Sequence, residues 1–266
     1  MKAECIQSSI ALLLHLHRLL HHLLLAMSLL FHVELSPLSQ VDGLARLTAG
    51  NTKVVVSVTG PIEPKPRQEL PTQASLEIVV RPSRGLAATK EKVLEDLLRS
   101  VLQLAIVRYK YPRQLIQVVV QFLATDVDAE GVVLVSGDSA GGAETSCNEL
   151  SAALNCCFFA LVDANVALFN SFAAVALAVA ADGALVPNPP LRALKSAASH
   201  HVVCFDVRLR KASKLLLAES SGSFSEQDLL AVVERASTLC EEIHTSYQRP
   251  AVERKVEADF VWAASA

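Results

Sequence analysis

Aromatic side chains are scarce in this 266-residue chain, at 5 % of positions with one Trp and three Tyr. Its core must therefore be built from Leu, Val, Ile and Ala. Charge of one sign is lacking as well. Lys and Arg number 24 against 27 Asp and Glu, a formal charge of −3. That excludes a strongly basic nucleic-acid coat and confines any RNA contact to local patches. Charged residues make up 19 % and apolar residues 52 %, which excludes a disordered tail protein. Six cysteines are present, Cys5, Cys147, Cys156, Cys157, Cys204 and Cys240, with no C-x-x-C pair. They read as small buried thiols in a reducing compartment, not as a disulfide framework or zinc site. The length fits one large domain or two small halves.

A membrane span is also missing from the expectations. The leucine-rich stretch Ile10–Phe31 is interrupted by His15, His17, Arg18, His21 and His22, whereas a spanning helix needs about 20 predominantly apolar residues. A signal peptide fits no better, because Ile10–Leu14 is too short for its apolar region and Glu4 lies where basic residues belong. His17 and His21 are spaced i, i+4, but no acidic or Cys partner is nearby, so an amphipathic or loosely ordered extension is preferred to a metal site. Residues 1–36 read as an N-terminal extension, with a native start expected at Met27. Residues 37–248 read as the main domain and 249–266 as a C-terminal tail.

Along the main domain, Leu44–Thr48 and Lys53–Thr59 flank Gly50-Asn51 and predict a β-hairpin. Val54, Val56 and Val58 share one face. Four prolines make Gly60–Pro71 a loop, and Leu76–Arg81 predicts a strand. Apolar residues at three- and four-residue spacing, Val93 to Ala105, predict a helix from Thr89 to about Arg108, with Glu91, Glu95 and Asp96 early and Arg108 late. Gln114–Leu123 alternates as a strand. Residues 125–147 are acidic and glycine-rich and read as an inserted loop. Asn148–Phe169 predicts a second helix with a core face of Leu150, Ala153, Leu154, Cys157, Phe158, Leu161 and Val162. Strands are expected at Phe172–Ala180, Val202–Val207 and Leu215–Glu219. A last helix over Ser225–His244 has Ser225 as its N-cap and Asp228 three residues on. Strand pairs followed by a helix, repeated, predict an α+β fold of two similar halves.

Gly137-Asp138-Ser139-Ala140-Gly141 fits the G-x-S-x-G elbow of serine hydrolases. A triad around Ser139 has Asp206 and His244 in the required order, with Asp163, His200 and His201 as further options. A chance match in a loop of small residues is preferred. No His-Gly-Gly segment precedes the motif, Ala143-Glu144-Thr145-Ser146 delays the following helix, and residues 1–130 lack the alternating βαβ units that carry such an elbow.

A longer pattern decides the reading. LSQVDGLARL, NTKVVVSVTGPIEPKPRQELPTQASLEIVVRPSRG, TKEKVLEDLLRSVL and YPRQLIQVVVQFL, within Leu38–Leu123, together with ELSAALNCCFFALVDANVAL and ESSGSFSEQDLL, closely resemble a ring subunit of the eukaryotic RNA exosome, in the ribonuclease PH family. The GPIEPKPRQELP block is most similar to fungal members. The resemblance implies a fold of two βαβα-type halves and a place in a hexameric ring of ribonuclease PH-like exosome subunits. It implies cap subunits with RNA-binding domains on that ring, and RNA threaded through its channel to a separate nuclease. It further implies rRNA processing and RNA degradation in nucleus, nucleolus and cytoplasm.

Active relatives cut RNA with inorganic phosphate, which a Gly-Gly-Thr-Arg-Thr type segment holds at the start of the helix matching Asn148–Phe169. Here Leu150 stands at the arginine position and Glu149 opposes phosphate. The relatives' aspartate cluster has no counterpart either, since residues 183–205 contain no Asp or Glu. Asp182 and Asp206 flank that gap. The resemblance therefore implies a non-catalytic member without metal or cofactor. The alternatives are an active 3′→5′ phosphorolytic exoribonuclease and a serine hydrolase using Ser139. The family's RNA-facing arginine, in a Thr-Arg-Glu step, corresponds to Lys90. Arg84, Lys92 and Arg113 are further candidates for phosphate-backbone contact, against a reading of each as a solvated surface charge.

Overall fold

The computed structural model describes residues 31–35, 40–126 and 143–259. Residues 1–30, including His17, His21 and Met27, lie outside this set, as does Ser139 with its whole motif. In chain order the elements are β1 (Phe31–Leu35), β2 (Gly43–Ala49), β3 (Thr52–Ile62), β4 (Ser75–Arg81), α1 (Thr89–Ala105), a 3₁₀ turn (Arg108–Lys110) and β5 (Leu115–Ala124). Then follow α2 (Ala143–Asp163), β6 (Ser171–Val179), β7 (Leu185–Pro187), α3 (Leu191–Ser196), β8 (Ser199–Arg208) and β9 (Lys211–Gly222). The last elements are α4 (Glu226–Ile243), a π-helical turn (His244–Gln248) and α5 (Arg249–Asp259).

Two sheets organise these elements. The first has strand order β1-β2-β3-β5-β4 and the second β7-β6-β8-β9. All pairs are antiparallel except β4 and β5, which run parallel around α1 as a single βαβ crossover. The β2–β3 hairpin turns at Gly50-Asn51, with Ala49 opposite Thr52 and Gly50 at φ +57°. Val54, Val56 and Val58 point into the core, as the alternation predicts.

Helix α2 lies between the sheets, against β2 and β3 on one side and β6 and β8 on the other. It is apolar all round because both sides are covered. Beyond the predicted core face, Ala152, Cys156, Phe159 and Ala160 are buried too, and of that face only Val162 is partly open. A mid-helix asparagine fits here for a specific reason. Asn155 Nδ2 donates to the Ala174 carbonyl at 2.8 Å and Asn155 Oδ1 accepts from the Ala174 N–H at 3.0 Å, fastening α2 to β6. Phe158 meets Phe159 and Phe172 edge-on at 5.5 and 5.6 Å. Helix α1 packs against β4 and α2, and α4 against β6 and β8. The free thiols of Cys147, Cys156, Cys157, Cys204 and Cys240 are buried. Burial pushes Cys157 and Cys240 up to about 12, which disfavours the reactive thiolate.

Several elements depart from the expected boundaries. Strand β3 continues through Pro61 to Ile62, because the ladder shifts register between Thr59 and Ile62 and needs no N–H from Pro61 there. Helix α1 ends at Ala105, so Arg108 caps nothing on it, and Val93 is exposed. Helix α2 starts within the expected inserted loop and stops at Asp163, where Asn165 turns at φ +54°. Strands β8 and β9 are longer than predicted and meet at Leu209-Arg210, both with positive φ. Strand β7 ends at Pro187 and helix α3 follows Pro189-Pro190, in a stretch where no element was expected. Phe31–Leu35, placed in the extension, pairs with β2. The tail is helical through Asp259, with Ala251 buried. Ser225 caps α4 as predicted, its Oγ accepting from Asp228 N–H at 3.2 Å while Asp228 Oδ2 accepts from Ser225 N–H at 2.9 Å.

Candidate functional site

The first turn of α1, the start of α2 and the end of β5 converge on Lys90 and Glu149. Lys90 Nζ lies 2.8 Å from each carboxylate oxygen of Glu149. Only 6 % of the Glu149 side chain and 24 % of the Lys90 side chain reach solvent. Burial pushes the Glu149 carboxyl up, Lys90 pulls it down less strongly, and Glu91 and Asp126 push it up further. Beside this pair, Asn148 Nδ2 donates to Asp126 Oδ2 and to the Pro189 carbonyl, both at 2.8 Å. Lys92 Nζ lies 2.6 Å from Glu95 Oε2, and the other Glu95 oxygen accepts the Val80 N–H at 3.1 Å. Glu91 Oε2 accepts the Ala88 N–H at 2.6 Å. Glu91, Glu95, Asp126 and Glu149 thus surround Lys90 and Lys92. A phosphate dianion entering this cluster meets more carboxylate than cation.

Leu150 is buried at 2 % exposure, packed into the core of α2. Gly141-Gly142 lie outside the described residues. Asp182 sits in the turn after β6 and accepts the Ala184 N–H at 3.0 Å. Asp206 is paired in register with Phe172 at the opposite end of β6, held by Asn170 at 3.0 Å and Ser213 at 3.2 Å. At about 3.3 Å per residue the two are roughly 25 Å apart and do not form a carboxylate pair. Among the described residues no cluster of three metal-ligating side chains occurs, and no helix is long and apolar enough to cross a membrane.

The four expected RNA contacts fall into two places. Arg84, Lys90 and Lys92 follow the C-terminal end of β4, whereas Arg113 precedes β5. Since β4 and β5 are parallel, Arg113 lies at the other end of the sheet, roughly 20 Å away. There Arg113 pairs with Glu69 and its N–H donates to the Leu70 carbonyl at 3.1 Å. Arg84 is exposed, and 70 % of the Lys92 side chain is open. Ser139 lies outside the described residues, and the hydrogen bonds of its candidate partners go elsewhere. His201 bonds Ser199 at 2.9 Å and Ser220 at 2.8 Å, and His244 bonds Gln248 at 3.1 Å. Asp163 Oδ2 accepts the Leu44 N–H at 2.9 Å. The sequence reading passed over Asp126 and Asn148, whose roles depend on contacts far along the chain. It also took Arg108 as a helix-end charge and gave no binding role to Arg108, Tyr109 and Lys110, which alternate cation and aromatic in a stretch free of acids.

A sheet–helix–sheet core entered by a βαβ crossover, with its candidate site at the start of the central helix, defines the class. The model of the 3′ exoribonuclease family, domain 1 (RNase PH), matches residues 30–167, and the chain belongs to this family. It is similar to the exosome complex component RRP46 of Saccharomyces cerevisiae, with 42 % identity over 219 residues, 81 % of this chain and 92 % of the relative. The crystal structure of rice (Oryza sativa) Rrp46 superposes with a TM-score of 0.71 at 24 % identity, over 85 % of this chain and 95 % of that one. The Archaeoglobus fulgidus exosome with RNA bound to the active site gives 0.63 at 13 % identity, over 82 % and 88 %. Both superpositions confirm the expected fold.

Proposed function

We propose that this chain is a non-catalytic ring subunit of an RNA exosome core. It supports 3′→5′ RNA processing and decay, including rRNA maturation, by joining other ribonuclease PH-like subunits and cap subunits and by lining a path for RNA. It does so in nucleus, nucleolus and cytoplasm. The observation that carries the absence of catalysis is the Lys90–Glu149 pair. At the helix start where the family resemblance places the phosphate grip, the nearest cation is already neutralised by a buried carboxylate, and the next residue is an apolar core side chain. The identity to RRP46 carries the assembly.

Within this reading, exposed Arg84 and Lys92 touch the RNA backbone, Lys90 braces the wall behind them, and Arg113 belongs to the opposite end of the sheet. Charge reversal at Lys90 would set two carboxylates side by side, so it tests folding as much as RNA contact. Arg84→Glu with Lys92→Glu tests contact more cleanly. The full chain is reconstituted with its ribonuclease PH-like partners, and assembly and nuclease protection of threaded RNA are measured. The ring forms with both chains, and the double variant shortens or weakens protection. Failure of the wild-type chain to enter a ring contradicts the proposal.

A further inference from the structure

Tyr109 and Phe169 leave 68 % and 54 % of their surface in water, the most exposed aromatics among the described residues. Their ring centroids are 6.1 Å apart with planes tilted at 51°. The backbone that presents them is fixed. Val107 N–H donates to the Ala167 carbonyl and Phe169 N–H to the Ala105 carbonyl, both at 2.9 Å. Ala167 N–H donates to Tyr111 Oη at 3.0 Å, and Ala74 N–H to the Arg108 carbonyl at 2.9 Å. Two segments clamped in this way hold the rings with little conformational freedom left to lose on binding.

The two segments that carry them hold charge of one sign, with Asp206 approaching from β8 onto Asn170. Residues 100–116 hold Arg108, Lys110 and Arg113 and no acid, and residues 164–181 hold no charged residue. Glu69 takes Arg113, while Arg108 and Lys110 have no acidic partner among the described residues. This platform follows the C-terminus of α2, whereas Glu149 stands near its start. At 1.5 Å per residue the two places are on the order of 20 Å apart.

We propose that Tyr109 and Phe169 with Arg108 and Lys110 form a second contact site, for single-stranded RNA. A base stacks on an open ring face, and neighbouring backbone phosphates lie against the two cations. Every base offers a π-face, so the site tolerates any sequence, and its ionic part weakens with salt. Tyr, Phe and Arg also suit a protein interface, but two cations without an acidic partner beside open ring faces favour a polyanion with bases, and a protein contact is an outcome of the test. The proposal rests on the exosome reading only in taking RNA as the chain's ligand.

The test uses the full chain, free and in its reconstituted ring, with a single-stranded oligouridine carrying 4-thiouridine. Photocrosslinks are mapped by mass spectrometry and affinity is read by fluorescence anisotropy. Crosslinks fall on the peptides holding Tyr109 or Phe169. Tyr109→Ala with Phe169→Ala weakens binding about tenfold, the scale of one lost stacked base, and Tyr109→Trp restores it. Arg108→Gln with Lys110→Gln lowers the slope of log affinity against log salt by about one. Circular dichroism melting confirms that these surface variants fold. Unchanged affinity in the aromatic variant, or crosslinks confined to other peptides, overturns the proposal. So does loss of a co-purifying protein at unchanged RNA affinity, which would make the platform a protein contact. A ring that assembles while RNA avoids the platform refutes this inference alone; a chain that enters no ring refutes the exosome assignment.

Discussion

Lys90 and Glu149 come from positions 59 residues apart and meet in a largely dry pocket. The family resemblance implies that Glu149 opposes phosphate and that Leu150 replaces the arginine of the phosphate grip. It does not show that Lys90 is the cation Glu149 engages, because that contact exists only once α1 and α2 pack. Removing one member of a buried pair leaves the other unpaired. Lys90→Met is therefore expected to cost roughly 3 kcal/mol, read as a lower urea midpoint at unchanged slope. His201 gives a second residue-level expectation. Burial holds its ring below the ordinary 6.5, with His200 adding and Asp228 opposing. The folded chain thus keeps His201 neutral where the unfolded chain takes up a proton. Stability is full above about pH 6.5 and falls as the pH drops below it, through the native value. Urea titrations from pH 7 to pH 5 should show that fall in the wild type and a shallower one in His201→Asn.

Elements were legible where a period or a cap is local. The hairpin at Gly50-Asn51, the alternation of β3 and β5 and the Ser225–Asp228 box each sit within a few residues of sequence. The β8–β9 turn is built from Leu209-Arg210 without glycine or asparagine, so nothing marks it. Strand β7 has three residues and α3 six, too few for a period. Burial all round α2 depends on two sheets that close over it only in the folded chain. One glycine marks that closure. A Cβ at Gly43 would lie 2.4 Å from both the Ala160 carbonyl oxygen and the Ala164 nitrogen, backbone atoms that cannot swing aside. Gly43→Ala is expected to separate β2 from the end of α2 and cost about 2 kcal/mol or more, visible as a lower midpoint in thermal or urea unfolding.

For the whole molecule, the α+β class with two halves was legible from the order of elements, and the family from long stretches of similar text. The two places that share the predicted cations were not. Lys90 and Lys92 lie with Arg84, and Arg113 lies beyond the far end of β4 and β5, a separation that follows from parallel pairing. A molecule of −3 formal charge can still serve RNA when its cations are local and its acids turn inward, as Glu91, Glu95 and Glu149 do. The proposed loss of catalysis rests on the start of α2, where Glu149 engages Lys90 and Leu150 is buried.

Phosphate-dependent release of nucleoside diphosphates tests that claim most directly. The full chain, alone and in its reconstituted ring, is incubated with RNA and inorganic phosphate under conditions that exclude hydrolytic nucleases. No diphosphate attributable to this subunit is expected, and Lys90→Met should leave the background unchanged. Diphosphate release that depends on phosphate and is lost on changing this chain's own Lys90 or Arg84 would contradict the account.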